Sequence, residues 1–359
     1  PNTETKYYLV IEYANKENQS NQMGKSFSID IGLREKQYPS ILSERVAMLA
    51  EEDKTTLATD DPDKNVRYIG ANPNNYVYFN CSDYNNQSSY GTCEKWRIIG
   101  VFNNVTKSDG TKENLVKIIR DESIGDYSWG SSSSSEYGFN DWTDADAMKL
   151  LNPGYDSESV GGSLYYNAKS GTCYGQDFGN DYETHVKVSC DFTYTGLKND
   201  ITRNAIEEVV WNLGGTNDYY TSTASMFYTA ERGTTVYSGR PTIWTGKIGL
   251  MYPSDYGYAT SGGATKDRAA CLAHKLGNLG SSDFSDCIEN DYLYHQAYEW
   301  TLTPLSHDAS FVAATDSVGS VFNYSAGYIG AVRPTLYLKS SISVDSGTGE
   351  SSNPYRLKF

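Results

Sequence analysis

Residues 1–36 alternate apolar and polar positions twice. Tyr7, Leu9, Ile11 and Tyr13 fall on one face of an extended segment. Phe27, Ile29, Ile31 and Leu33 do so again after a polar turn from Asn15 to Gly24. A period of two predicts a pair of strands. Two strands bury too little to stand alone, so they must pack on the rest of the chain or on another molecule. The period then lengthens. Ile41, Leu42, Val46 and Leu49 share a helical face behind Pro39 and Ser40, which predicts a helix over 39–53. The stretch from Lys54 to Asn65 is polar, with Asp60, Asp61, Pro62 and Asp63, and reads as a linker.

From Val66 onward the pattern is that of one large domain of strands and short helices. Tyr76–Phe79, Trp96–Phe102, Val116–Arg120 and Val332–Leu338 read as strands. Helices are expected over 141–151, 225–232 and 266–276. A longer one is expected over 200–213, where Ile201, Ala205, Val209 and Leu213 recur before Gly214 and Gly215. The Ser131–Ser135 run reads as an exposed loop. No internal repeat is visible. The expected organisation is a strand pair over 1–36, a helix and linker over 37–65 and a large domain over 66–359. The expected fold class is α+β and β-rich.

Composition narrows the function. The chain has 359 residues, with 45 acidic against 30 basic side chains and a net charge of −15. That balance argues against nucleic acid and against an anionic membrane surface. No apolar run is long enough to span a bilayer, so membrane insertion is not expected. Tyrosine, at 31 residues against 11 Phe, suits a secreted β-rich protein more than a cytosolic enzyme. Pro1 reads as the start of a mature or trimmed chain. No sorting motif or apolar tail precedes Phe359, so attachment to a cell surface would have to come from elsewhere.

The six cysteines fall into three neighbouring couples, Cys81 with Cys93, Cys173 with Cys190 and Cys271 with Cys287. Many pairings are open, and joining neighbours is the simplest. Each bridge would tie off a loop rich in Gly, Ser, Asn or Asp, and disulfides imply an oxidising compartment. The metal alternative lacks a CxxC, and His185, His274, His295 and His307 are scattered.

Asp141, Asp144 and Asp146 cluster before a helix. Their oxygens could hold Ca²⁺, or they could cap the helix and face its dipole. Glu289-Asn290-Asp291 offers a second acidic turn. No other cofactor is called for. There is no nucleophile elbow, HExxH, phosphate loop or dinucleotide fingerprint, so no enzyme is expected. The Tyr-rich stretches are more informative. Tyr252, Asp255, Tyr256 and Tyr258 lie in the run Gly249–Ala259, and Tyr219, Tyr220, Tyr228 and Tyr237 precede it. A Tyr ring gives a flat apolar area with one polar tip, as protein and glycan interfaces use. Strand packing would also account for it.

Several stretches over 66–359 resemble a domain family of unknown function from surface and secreted proteins of Gram-positive gut bacteria. They include Asn72–Phe79, Trp96–Gly100, Gly171-Thr172-Cys173, Cys190-Asp191-Phe192, Glu231-Arg232-Gly233, Trp244-Thr245-Gly246, Gly249–Ala259, Trp300–Pro304 and Val332–Leu338. The layout is similar to C-type-lectin-like and formylglycine-generating-enzyme-like folds through Glu299-Trp300 and the late Arg333. That resemblance implies a lectin-like layout without transferring an activity. Tyr7–Ile11 and Met23–Phe27 resemble the closing strands of TasA/camelysin-like β-sandwich proteins, which build extracellular fibres. The resulting expectation is a bacterial cell-surface protein that self-assembles into a filament by strand addition. The alternative is an adhesin whose head binds glycans or surface proteins.

Overall fold

The helix expected over 39–53 forms as α1 (Leu42–Glu52), with Leu42, Val46 and Ala50 buried at the spacing of one helical face. It belongs to a computed structural model that describes residues 37–88, 92–175 and 185–359. The chain divides after Gln37, and Tyr38–Phe359 form one unit with its own core. The alternating segments of residues 1–36 lie outside the described residues.

The polar stretch after α1 is not a linker. It carries β1 (Leu57–Ala58), which pairs with β2 (Val66–Tyr68). Asp61 and Asn65 between them are fully buried. The acidic run reads as solvated, but the buried Arg67 neutralises Asp61 at 2.7 Å. The large domain therefore begins at Tyr38 rather than at Val66.

The expected strands continue it as β3 (Tyr76–Phe79), β4 (Glu94–Thr106) and β5 (Lys112–Arg120). Next come β6 (Asp126–Ser128), a single 3₁₀ turn at Trp142–Asp144, and α2 (Asp146–Leu151). A hairpin of β7 (Ser170–Gly175) and β8 (Val186–Asp191) succeeds them. The helix expected over 200–213 is only α3 (Asp200–Ala205), capped by Asn199, and the chain then extends into β9 (Val209–Asn212). Val209, Val210 and Trp211 favour a strand, and pairing with β10 (Ile243–Gly246) overrides the fourfold spacing. Between them lies α4 (Ala224–Glu231), and after them β11 (Ile248–Gly249), α5 (Pro253–Gly257), α6 (Arg268–Ala273) and α7 (Ser285–Glu289). The chain closes with β12 (Glu299–Pro304), β13 (Phe311–Thr315), β14 (Val321–Ser325), β15 (Ile329–Ala331), β16 (Thr335–Tyr337) and the hairpin β17 (Ser343–Ser346) to β18 (Arg356–Lys358).

Two sheets organise these elements. An antiparallel sheet of seven strands runs β1–β2–β4–β5–β16–β11, with β3 beside β4. A second of five runs β14–β13–β12–β15–β6, and only its β12–β15 pair is parallel. The fold is thus α+β and β-rich. Glu299 and Arg333, singled out by the resemblance, pair in the core at 3.3 Å. The three disulfides join neighbours: Cys81 to Cys93, Cys173 to Cys190 and Cys271 to Cys287. Each ties a local loop, worth about 3 kcal/mol by chain entropy, and together they suit an oxidising compartment. No described helix is long and apolar enough to cross a membrane.

One row across the large sheet gathers buried charge. Register places Arg67 of β2 beside Gly100 of β4, Gly100 beside Lys117 of β5, and Lys117 beside Tyr337 of β16. Side chains directly opposite share a face, so two cations flank a residue with no side chain. A Cβ at Gly100 would sit 2.0 Å from the Val66 carbonyl oxygen. Backbone cannot yield there as a flexible side chain would. Gly100→Ala is therefore expected to cost about 1–3 kcal/mol or more, the range for overpacking. Urea unfolding of the variant measures it, and an unchanged midpoint would mean that β2 and β4 part freely.

Candidate functional site

The two cations are bridged from α5. Asp255 is buried and lies between the two cations. Its Oδ1 accepts from Arg67 Nη1 at 2.9 Å and its Oδ2 from Lys117 Nζ at 2.5 Å. The Tyr252 N–H donates to it at 3.0 Å. The two cations hold the Asp255 carboxyl at about 2 against the opposing effect of burial. Burial pushes the Lys117 ammonium down to about 8, with Asp255 restraining the fall. Around Lys117 stand the rings of Tyr252 at 4.4 Å and Phe102 at 5.2 Å. Trp211 and Tyr337 complete this cage at 5.4 and 5.6 Å. Aromatic faces thus replace the water that the ammonium lost.

A hydrogen-bonded chain leads outward from this core. Arg67 Nε donates to Asp61 Oδ2 at 2.7 Å. Asp61 also accepts from the Asn65 backbone and side-chain amides, both at 2.8 Å. Asn65 Nδ2 donates in turn to Tyr228 Oη at 2.9 Å, and Tyr228 Oη donates to Asp63 Oδ2 at 2.6 Å. Because the phenol oxygen accepts from Asn65, its proton is committed to Asp63. Arg232 lies on the Tyr228 ring with its carbon 3.3 Å from the centroid. It also pairs with the buried Glu231 at 3.1 Å. Glu231 is anchored by the Ser254 N–H at 3.0 Å, and burial pushes its carboxyl up.

Above this framework opens a cleft of about 250 Å³. Its walls are core aromatics, Phe102, Trp211, Tyr252 and Tyr337, and its mouth carries Asp63, Asn103, Asn104, Asn212 and Arg232. The two adjacent amides come from a bulge in β4, where its register with β5 shifts between Phe102 and Val105. Asn104 takes φ 53°, a conformation that Asn tolerates better than most residues. A bulge leaves residues unpaired and re-aims their side chains, here toward the mouth. The arrangement offers hydrogen-bond donors and acceptors at a rim above an apolar, pre-built floor.

Of the residues expected from sequence to bind ligand, only Tyr252 lines this cleft. Asp255 is the ion-pair partner beneath it. Tyr256 is fully buried, with its hydroxyl donating to the Gly319 carbonyl at 2.8 Å. Tyr258 packs edge-on against Tyr228 at 6.4 Å. Asp63, Asn103, Asn104, Asn212 and Arg232 carry no motif that marks them as site residues. A signal that would have pointed to the site is Lys117, a charge inside the apolar run Leu115-Val116-Lys117-Ile118-Ile119.

The aspartates expected to hold Ca²⁺ do not converge. Asp141 caps the 3₁₀ turn through Thr143, Asp144 pairs with Lys149 at 2.5 Å, and Asp146 accepts from the Ser131 N–H at 2.6 Å. The capping alternative thus holds for Asp141 alone, while Asp144 is engaged by an ion pair and Asp146 by the loop at Ser131. At the second acidic turn, Asp291 is buried and bonds the Leu293 N–H, while Glu289 is exposed. Among the described residues, no group of three or more His, Cys, Asp or Glu is placed to hold a metal. Ser131 Oγ also lies 3.0 Å from His185 Nδ1. Asp146 contacts that serine rather than the imidazole, so it does not orient a base as a hydrolytic triad requires.

Comparison with protein-family models, with curated proteins and with solved structures gave no match to this chain.

Asp255→Asn leaves Lys117 and Arg67 buried without their shared anion, and should cost about 3–5 kcal/mol in urea unfolding. The wild-type carboxyl titrates near 2 in the folded chain and near 3.8 in the unfolded chain. Its contribution is therefore complete above pH ~4 and fades as pH falls toward 2. The variant should lack that part of the acid transition, and a variant within 1 kcal/mol of wild type would sink the assignment. Asp146 has the opposite sign, because burial raises its carboxyl to about 6. Its contribution is present below pH ~4 and is lost as pH rises through 6. Asp146→Asn should thus gain on wild type between pH 4 and 6 in parallel thermal melts; equal slopes would exclude it.

Proposed function

We propose that this domain is an extracellular bacterial binding module, an adhesin-like head whose cleft takes a glycan. One observation carries the reading: a rigid aromatic floor lies beneath a rim where a carboxylate, a guanidinium and several amides converge. Sugars present apolar ring faces and hydroxyls that both donate and accept, and such a cleft offers partners for both. The bound molecule would meet a pre-formed site, because the walls are core residues held by the Asp255 network. Disulfide-tied loops and a net charge of −15 suit a protein working outside the cell. Binding, with no reaction, is the activity proposed.

The filament reading draws on strand addition by residues 1–36. These lie outside the described residues, and nothing in the described fold favours it over the binding reading. The C-type-lectin-like layout remains part of the proposal, resting on the resemblance.

A glycan array probed with the labelled, non-reduced chain tests the proposal. A defined subset of glycans should bind, and Asn212→Ala, whose side chain bonds no described residue, should weaken that signal several-fold without lowering the melting temperature. Absence of binding to every glycan, with and without Ca²⁺, would overturn it.

A further inference from the structure

The charges around the cleft decide which sugars it can hold. Arg232 is not a free cation, because Glu231 pairs with it at 3.1 Å. Arg67 and Lys117 are likewise matched by Asp61 and Asp255. Asp63 is left over. Its side chain is 57% exposed, and its Oδ2 stands 3.9 Å from Arg232 Nε, beyond a hydrogen bond. The mouth of the cleft thus carries one uncompensated negative charge.

The unused valences are equally specific. Asp63 Oδ2 accepts from Tyr228, and its Oδ1 has no hydrogen-bond partner among the described residues. Arg232 uses Nη1 for Glu231 and the Tyr228 carbonyl, and its Nη2 bonds no described residue. Tyr337 is 6% exposed and lines the cleft, yet its hydroxyl also lacks a partner among the described residues. That hydroxyl opens on the cleft rather than being sealed in the core, so a ligand group can supply its partner.

Resting on the glycan reading above, we infer that the cleft selects an uncharged sugar through a vicinal diol and does so without Ca²⁺. Asp63 accepts from the two hydroxyls while Arg232 donates to them, and Tyr337 bonds a third group deeper in. Adjacent hydroxyls are suited to a neighbouring acceptor and donor, because each oxygen can give its proton to the carboxylate and receive one from the guanidinium. A uronic or sialic acid would bring its carboxylate to a rim whose only spare charge is negative. Ca²⁺ needs six or more oxygens, usually with several carboxylates. Here it would find one free carboxylate beside a guanidinium.

Titration calorimetry of the full chain separates the possibilities. The probes are the methyl glycosides of glucose, galactose, mannose and fucose, set against methyl glucuronide and N-acetylneuraminic acid, each in EDTA and in CaCl₂. At least one neutral glycoside should bind equally in both buffers, and the acids at least tenfold more weakly. Asp63→Asn keeps the shape and the bond from Tyr228. It should weaken the neutral ligand at least tenfold and narrow the gap to the acids, because the rim loses its charge. Tyr337→Phe should weaken it several-fold with melting unchanged. Acids binding as well as neutral sugars, a Ca²⁺ requirement, or an Asp63→Asn variant with full affinity would overturn this inference and leave the glycan reading standing. If no probe binds and a full glycan array is also blank, both fall.

Discussion

One carboxylate in the core, Asp255, lets two cations occupy the same face of a sheet. Arg67 and Lys117 lie two strands apart and fully buried, an arrangement that repulsion and desolvation would forbid without it. The strand between them contributes a glycine, which lets β2 approach closely, and α5 delivers the anion that bridges both cations. Asp61 neutralises the far side of Arg67, and aromatic faces cover what remains of both cations. Arg67 Nη2 still has no acceptor among the described residues; Phe102 and Tyr258 lie 4.7 and 5.1 Å from its guanidinium carbon. Buried ion pairs are poor sources of net stability but strong constraints on geometry, since each alternative packing strands a charge.

That constraint fixes the cleft. β2, β4, β5, β16 and α5 are all tied to the same ionic row, and each also lends or supports a wall. Tyr252 sits where it does because its N–H binds Asp255 and its hydroxyl bridges the Asn212 backbone, donating at 3.0 Å and accepting at 3.0 Å. The same side chains thus hold the core together and form the floor. A ligand of the proposed kind would therefore meet them already ordered.

Local features were readable from the residues in order. Strand β3 and the helix α1 follow their periodicity, and the cysteine pairing follows from short loops between neighbours. The helix expected over 200–213 shows where periodicity misleads. Ile201, Ala205, Val209 and Leu213 recur at a helical spacing, but a hydrogen-bonding partner in β10 makes Val209–Asn212 a strand. The cleft was largely hidden because separate stretches build it: residues 63–65, the β4 bulge, β9, the end of α4, Tyr252 and Tyr337. Asp61 and Asp63 read as a solvated linker, since nothing nearby in sequence announces that Arg67 will be buried beside them. Only the run Gly249–Ala259 was both legible as special and used, and most of it serves the core rather than the surface.

The β4 bulge divides the labour of the site in a way that bears on its history. Asn103 and Asn104 occupy positions that the ladder to β5 skips, and their neighbours Phe102 and Val105 carry the packing. Substitutions there spare the β4–β5 ladder, although the Asn103 amide also donates to the Asp63 and Lys64 carbonyls, whereas substitutions along the ionic row strand a buried charge. On the binding reading proposed above, mouth residues such as Asn104 and Asn212 could change preference while the core beneath them stays the same. The fold holds its floor constant and leaves its rim free to evolve.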